Sequence, residues 1–196
     1  TYAALAAAAV VGLLGGTAIY ILTQGQDDAF AGCRAGQVGG GDIGGPFTLT
    51  DQDGKTVSDS DFAGKYRLVY FGYSFCPDIC PVDLQKLMRG LSQFEKADAA
   101  RGAKVQPLFI TVDPERDTPQ ILDAYVKAYD PSFVALYGTL EETKATAKEF
   151  DVFYEKVPAG DTYTISHTAT SYVYDSNGGL RLGLSTSLSA EQCTED

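Results

Sequence analysis

The chain has 196 residues, enough for one globular domain and an additional segment. Its formal net charge of −11 disfavours duplex nucleic acid as a partner, because no excess of basic residues offsets the phosphate charge. A hydrophobic content of 44%, with 11% aromatic residues, is sufficient for a packed core and argues against global disorder. The single histidine, His167, excludes any site that needs two imidazoles. The cysteines suffice for one site and one bridge: Cys33, Cys76, Cys80 and Cys193.

The N-terminal residues 2–22 carry no charged side chain. As a helix they would span about 31 Å at ~1.5 Å per residue, which matches the core of a bilayer. We therefore expect a transmembrane anchor over residues 1–23, with a buried core helix, a signal peptide or a lipoprotein site at Cys33 as weaker alternatives. Asp27 and Asp28 follow without a basic neighbour, which is typical of a non-cytoplasmic flank. The sequence thus predicts a single-pass inner-membrane protein with its domain on the periplasmic side.

The remainder of the chain predicts a linker and one domain. Residues 24–45 form the linker, because six glycines lie between positions 36 and 45, and residues 46–196 form the domain. Turn signals, apolar periodicity and capping residues predict the elements of the domain. The predicted strands cover 66–72, 105–112, 133–137 and 152–157, with a hairpin over 47–58 and a second hairpin formed by 171–174 and 180–184. The predicted helices cover 82–100, 119–129, 140–150 and 188–193. This order predicts an α/β sandwich with a mixed sheet.

Two cysteines, Cys76 and Cys80, lie between a buried strand and a helix. A spacing of four places both sulfurs on one face of the helix start, where unpaired backbone N–H groups favour thiolates. Such a pair can form a structural bridge, act as a reversible disulfide or bind a soft metal, Cu(I) or its competitor zinc. A Cu(I) site of low coordination number needs one more donor, for which His167 is the candidate. The alternative for His167 is a surface histidine in a loop.

Three segments resemble the Sco/SenC family of membrane-anchored copper-binding proteins. They are VYFGYSFCPDICP at residues 69–81, FITVDPERDTP at residues 109–119, and Ser166, His167 and Thr168. The resemblance implies a thioredoxin-like fold, so the expected architecture is an α/β, thioredoxin-like sandwich with an N-terminal β-hairpin, preceded by one transmembrane helix. It also implies that Cys76, Cys80 and His167 bind copper, as Cu(I) and also as Cu(II).

The resemblance further implies a function in respiratory complex assembly. The expected activity is that of a copper chaperone, which delivers copper to the CuA centre of cytochrome c oxidase. The alternative is a thiol–disulfide oxidoreductase that keeps the CuA cysteines reduced, with Cys76 and Cys80 as the redox pair; a thiol peroxidase and a copper- or redox-sensing module are weaker. The expected partners are the copper-bearing subunit of the oxidase or another copper chaperone. Ser166 departs from the family pattern, because many members have an acid there that could orient the histidine ring.

Four charged residues near these motifs are candidates for a supporting role. Asp113, Arg116 and Asp117 follow a buried strand, at the edge where α/β sheets place their sites. They either support the site or a docking partner, or merely satisfy one another in a loop. Asp78 lies between the two cysteines, where it either raises the thiol pKa or serves as an acid at the helix start.

Cys33 and Cys193 flank the region that carries the motifs. Leftover cysteines in an oxidising compartment tend to pair, which predicts a structural disulfide between them. Two free thiols, or redox partners for the motif cysteines, remain as alternatives.

Overall fold

The computed structural model describes residues 43–185. The predicted anchor, nearly all of the predicted linker, the predicted helix over 188–193 and the predicted Cys33–Cys193 bridge lie outside the described residues. Across residues 43–185, no helix combines the length and the apolar character needed to cross a membrane.

A mixed seven-stranded sheet forms the frame of the domain. Its strands are β1 (Thr48–Asp51), β2 (Thr56–Ser58), β3 (Tyr66–Gly72), β4 (Val105–Thr111), β5 (Val134–Tyr137), β8 (Ser171–Tyr174) and β9 (Leu180–Leu184). Their order across the sheet is β2-β1-β5-β4-β3-β8-β9. β3, β4 and β5 run parallel, while the N-terminal hairpin and the β8–β9 hairpin pair antiparallel at either side. The α/β class, the mixed sheet and the N-terminal hairpin are therefore as predicted.

The helices connect and flank these strands. They are α1 (Ile79–Ala97), α2 (Ala99–Gly102), α3 (Pro119–Lys127) and α4 (Leu140–Glu149), and a 3-10 turn covers Asp59–Phe62. α1 begins three residues before the predicted start, because Pro81 occupies the first helical turn, where its missing N–H would have no partner in any case. Thr118 caps α3, and Thr139 forms the predicted capping box of α4 with Glu142.

The core lies on both faces of β3 and β4. Tyr70 of β3 and Phe109 of β4 are neighbours in the register and share one face of the sheet. On this face Tyr70 donates a hydrogen bond to Asp83 of α1, and Phe109 contacts Tyr125 of α3. The opposite face carries Phe71, whose ring centroid lies 5.2 Å from that of Phe150, which follows α4. Successive residues of the central strand thus pack against different helices, as the pleat of a strand requires.

A second, two-stranded sheet carries the histidine. It consists of β6 (Tyr154–Ala159) and β7 (Thr162–His167), which pair antiparallel with each other. The prediction placed one strand over 152–157 and left 162–167 unassigned. Gly160, at a φ of 62°, permits the tight turn that joins β6 to β7. His167 is therefore the last residue of a strand and not part of a loop.

Candidate metal centre

The cysteine motif lies directly after the carboxyl end of β3. The backbone N–H of Cys76 donates to the carbonyl of Tyr73, which turns the chain toward α1. Cys80 lies in the first turn of α1, and its backbone N–H donates to the sulfur of Cys76 at 3.4 Å. The Cys76 sulfur thus serves as an acceptor at the helix start, where backbone donors have no helical partner. Both cysteines are free of disulfide bonds, with Cys76 partly exposed and Cys80 buried.

His167 reaches this motif from the end of β7. Its Nε2 lies 3.3 Å from the sulfur of Cys80, and its Nδ1 lies 3.0 Å from the carbonyl oxygen of Thr168. Because a carbonyl can only accept, this contact favours a proton on Nδ1 and leaves the Nε2 lone pair for the sulfur side. The rings of Tyr70 and Tyr73 contact the imidazole edge-on and hold its plane.

The structure brings Cys76, Cys80 and His167 together, with one ligand atom from each lying within 4.8 Å of the others. Two sulfurs and one imidazole nitrogen in this arrangement suit a soft metal ion of low coordination number. Gly72 makes room for the Cys80 side chain, because a Cβ there would lie 3.1 Å from the Cys80 sulfur and 2.8 Å from the ring of Tyr70.

The two sulfurs differ in proton affinity. A hydrogen bond from the Cys80 thiol, supported by His167 and by the backbone N–H groups of Cys80 and Asp78, lowers the pKa of Cys76 to about 3, against the opposing effect of burial. The same hydrogen bond to Cys76, together with burial, raises the pKa of the Cys80 thiol. The metal-free site therefore holds one thiolate, at Cys76, and one thiol, at Cys80.

An acid lies buried behind the site. Asp83 is 5% exposed and accepts a hydrogen bond from the Tyr70 hydroxyl at 3.1 Å. Burial raises the pKa of Asp83, and the tyrosine hydrogen bond opposes this change. Asp83 is not predictable from the sequence, because a single acid on a helix carries no signal of its own.

Asp113 and Arg116 contact each other and the histidine hairpin. Asp113 is buried and accepts from Arg116 Nε at 2.5 Å and from the Tyr163 hydroxyl at 2.9 Å. Arg116 Nη1 donates to the carbonyl of Tyr163 at 2.9 Å, and its guanidinium carbon lies 3.7 Å from the centroid of the Tyr163 ring. The pair is thus more than a self-satisfied loop, since both residues bind the strand that ends in His167.

Asp117 contacts the cysteine segment. It is 1% exposed and accepts from the Ser74 backbone N–H at 3.1 Å and from the Ser74 hydroxyl at 2.5 Å. The Thr111 hydroxyl donates to it as well, at 2.5 Å. Burial raises the pKa of Asp117, and the hydrogen bonds from Ser74 and Thr111 oppose this change.

Asp78 and Ser166 lie beside the ligand candidates without touching them through their side chains. Asp78 is exposed at the N-cap position of α1, and its side chain makes no capping hydrogen bond. Ser166 is exposed, and because side chains alternate along β7, it projects from the face opposite to that of His167. The ring of His167 is oriented instead by the Thr168 carbonyl, so an acid at position 166 is not needed for that purpose.

Comparison with known proteins places these observations in a family. The SCO1/SenC family model matches residues 35–196. Protein SenC of Rhodobacter capsulatus is 39% identical over 182 residues, which cover 92% of this chain and 80% of that protein. Mitochondrial protein SCO2 of Saccharomyces cerevisiae is 36% identical, and this chain spans only 56% of its length. Mitochondrial SCO1 homolog 2 of Arabidopsis thaliana is 38% identical, and this chain spans only 55% of its length.

Solved structures give the same result. The crystal structure of Arabidopsis thaliana ScoI with copper bound has a TM-score of 0.74 and 36% identity, over 78% of this chain and 94% of that one. BsSco, described as a Sco protein with a disulfide switch from a family of cytochrome c oxidase assembly proteins, has a TM-score of 0.54 and 27% identity, over 72% and 81% of the two chains. These matches support the expected thioredoxin-like Sco fold. The chain therefore belongs to the SCO1/SenC family.

Proposed function

We propose that this protein is a copper chaperone in the assembly of cytochrome c oxidase, and that Cys76, Cys80 and His167 bind the copper that it delivers to the CuA centre. The observation that carries the proposal is the convergence of these three donors within 4.8 Å. The copper-bound structure of a relative and the oxidase assembly role of the family of BsSco support it.

The donor set is suited to transfer as well as to binding. Thiolates and a neutral imidazole favour a soft metal ion such as Cu(I). Three ligands leave one side of that ion open to an incoming thiolate. Cys76 is the partly exposed sulfur and Cys80 the buried one, so an acceptor approaches from the Cys76 side. Each exchange would replace one of the three ligands of this protein, a sulfur or the His167 nitrogen, by one ligand of the acceptor, so that the metal stays coordinated throughout. The acceptor is the copper-bearing subunit of the oxidase or a further copper chaperone.

We also propose a location in the inner membrane, on the basis of the N-terminal sequence. A span over residues 2–22 would hold the domain at the outer face of that membrane. Residues 24–45 would give the domain reach toward a membrane-bound oxidase.

The proposal is tested by copper binding and copper transfer. Cys76→Ser, Cys80→Ser and His167→Ala are each expected to weaken Cu(I) binding and to abolish transfer to a soluble CuA acceptor domain. The double variant Cys33→Ser with Cys193→Ser is the matched control, because it removes the other two cysteine sulfurs and should retain both properties. Full copper affinity in Cys76→Ser or His167→Ala would contradict the ligand assignment.

A thiol–disulfide oxidoreductase is the second candidate function. The lowered pKa of Cys76 and the adjacent Cys80 thiol would allow Cys76 to attack a target disulfide and Cys80 to release the mixed disulfide. His167 separates the two functions, because copper binding needs its Nε2 as a ligand, whereas the hydrogen bond from Cys80 is the main cause of the lowered pKa of Cys76. If His167→Ala supports oxidase assembly in cells as well as the parent protein does, the redox function is favoured over the copper function.

A further inference from the structure

One loop contacts both halves of the candidate site. Residues 113–117, here called the clamp loop, follow β4 at the same sheet edge as the cysteine motif. The loop is itself closed, because the backbone N–H groups of Arg116 and Asp117 both donate to the carbonyl of Asp113. Its side chains then diverge toward two segments that are far apart in sequence.

On the cysteine side, Asp117 holds the segment that leads to Cys76. Its carboxylate accepts from both the backbone N–H and the hydroxyl of Ser74, which lies two residues before Cys76. The third donor, the Thr111 hydroxyl, lies at the end of β4. These bonds join the cysteine segment to the central sheet.

On the histidine side, Arg116 holds the β6–β7 hairpin. It stacks on the ring of Tyr163 and donates to the Tyr163 carbonyl, while Asp113 accepts from the same tyrosine hydroxyl. Lys156 of β6 forms an ion pair with Glu115 of the same loop. The hairpin pairs with no strand of the seven-stranded sheet, so side-chain contacts of this kind fix its place.

The exposure of Asp113, Arg116 and Asp117 shows whether they support the site or offer a surface for a docking partner. The Asp113 side chain is 0% exposed and that of Arg116 is 20% exposed, while Asp117 is 1% exposed. Three groups with so little accessible surface offer a partner protein almost nothing to bind. Their hydrogen bonds point inward, to Ser74 and Tyr163.

We propose that the clamp loop positions the two halves of the copper site separately. Asp117 is the positioning residue for the Cys76 segment, and Arg116, held by Asp113, is the positioning residue for His167. The inference rests on the proposed function, because it takes copper as the ligand of the three donors. Neither residue touches copper, and each acts through a neighbour, Ser74 or Tyr163.

The test compares Arg116→Ala with Asp117→Asn, using Cu(I) as the probe and X-ray absorption to count sulfur and nitrogen ligands. Arg116→Ala is expected to lose the imidazole nitrogen and keep both sulfurs. Asp117→Asn is expected to keep the nitrogen and lose one sulfur. Each variant is expected to weaken Cu(I) affinity about 10- to 100-fold, the usual cost of removing a group that orients a metal ligand.

The matched controls lie at the other end of the sheet. Asp175 is a buried acid that accepts from the backbone N–H groups of Asn177 and Gly179 and pairs with Arg181. It follows β8, whose Tyr174 pairs with Arg67 at the beginning of β3, whereas the copper site follows the end of β3. Arg181→Ala and Asp175→Asn are therefore expected to retain both sulfurs, the nitrogen and the parent affinity.

A variant that fails to fold is replaced by a smaller change. Tyr163→Phe removes only the hydroxyl that binds Asp113, and it should weaken copper affinity in the same direction as Arg116→Ala. Amide hydrogen exchange of the metal-free protein adds a readout without copper, since Arg116→Ala should accelerate exchange in β7 and leave α1 unchanged.

The outcomes separate the two proposals. If the parent protein does not bind copper through these three ligands, the proposed function fails, whereas selective exchange in β7 would still support the positioning role of Arg116. The positioning role is overturned if both variants bind copper with all three ligands at the parent affinity, or if both lose the same ligand.

Discussion

Cys76 and Cys80 have unequal proton affinities although they belong to one motif and lie four positions apart in the sequence. The pKa of Cys76 is lowered to about 3, so its sulfur is a thiolate at neutral pH. The pKa of Cys80 is raised, so its sulfur keeps its proton until a metal displaces it. Copper binding near pH 7 should therefore release about one proton, not two, and its affinity should rise about tenfold per pH unit. Calorimetry in buffers of different ionisation enthalpy measures the number of protons released.

The variant Cys76→Ser provides the control for this prediction. This variant keeps Cys80 as the one thiol of the motif. It should bind Cu(I) more weakly than the parent protein, but binding should still release about one proton. Release of two protons by the parent protein would mean that Cys76 is also a thiol, which would contradict the unequal pKa values of the two cysteines.

The rare residue types of the candidate site, and the charged residues near them, could be predicted from the sequence, whereas the groups that those charged residues bind could not. Cysteine and histidine are rare in this chain, so Cys76, Cys80 and His167 stand out in the sequence. Ser74 and Tyr163 are common residue types, and their bonds to Asp117 and Asp113 join positions 43 and 50 apart. Such pairings depend on how loops meet at the sheet edge, which local patterns do not encode.

The β6–β7 hairpin is the element that the sequence prediction resolved least well. β7 alternates in the manner of a strand, with Tyr163, Ile165 and His167 on one face, but short polar residues between them weaken the signal. β6 is exposed along most of its length, so it lacks the apolar pattern of a core strand. In contrast, β3 was predicted with its observed bounds, because five of its residues are buried in succession.

Because it pairs only with itself, the hairpin should open more readily than the main sheet. A two-stranded ribbon is marginally stable alone, and contacts from neighbouring side chains supply the rest. In the metal-free protein we expect amides of β6 and β7 to exchange at least about tenfold faster than those of β3 and β4. Hydrogen exchange followed by mass spectrometry or NMR measures the ratio.

Copper should slow exchange in the hairpin, because His167 would then be tied to α1 through the metal. The His167→Ala variant is the control, since copper cannot tie its hairpin in this way. Equal exchange in the hairpin and in β3 of the metal-free protein would show that the hairpin unfolds only with the whole domain.

At the scale of the whole molecule, sheet topology explains which parts of the site were open to prediction. β3 and β4 are parallel neighbours, so the cysteine motif and the clamp loop leave the sheet at the same edge. The order of strands and helices predicted that edge. His167 arrives from outside the seven-stranded sheet; its ring contacts those of Tyr70 and Tyr73, and Arg116 of the clamp loop binds its strand at Tyr163.

Copper held by the proposed ligands would close a long loop of the chain, because Cys80 and His167 are 87 positions apart. An unfolded chain cannot hold these donors together, so copper should bind the folded state selectively and stabilise it. At free Cu(I) about 1,000 times the Kd, the gain is about 4 kcal/mol, or roughly 10 °C in Tm for a domain of this size. Thermal unfolding under reducing, anaerobic conditions measures the shift.

His167→Ala keeps only the two sulfurs, which are local to one helix start, and its Tm should rise far less at the same free copper concentration. A shift in His167→Ala as large as that of the parent protein would show that copper binds the cysteine pair alone and that the long loop is not closed.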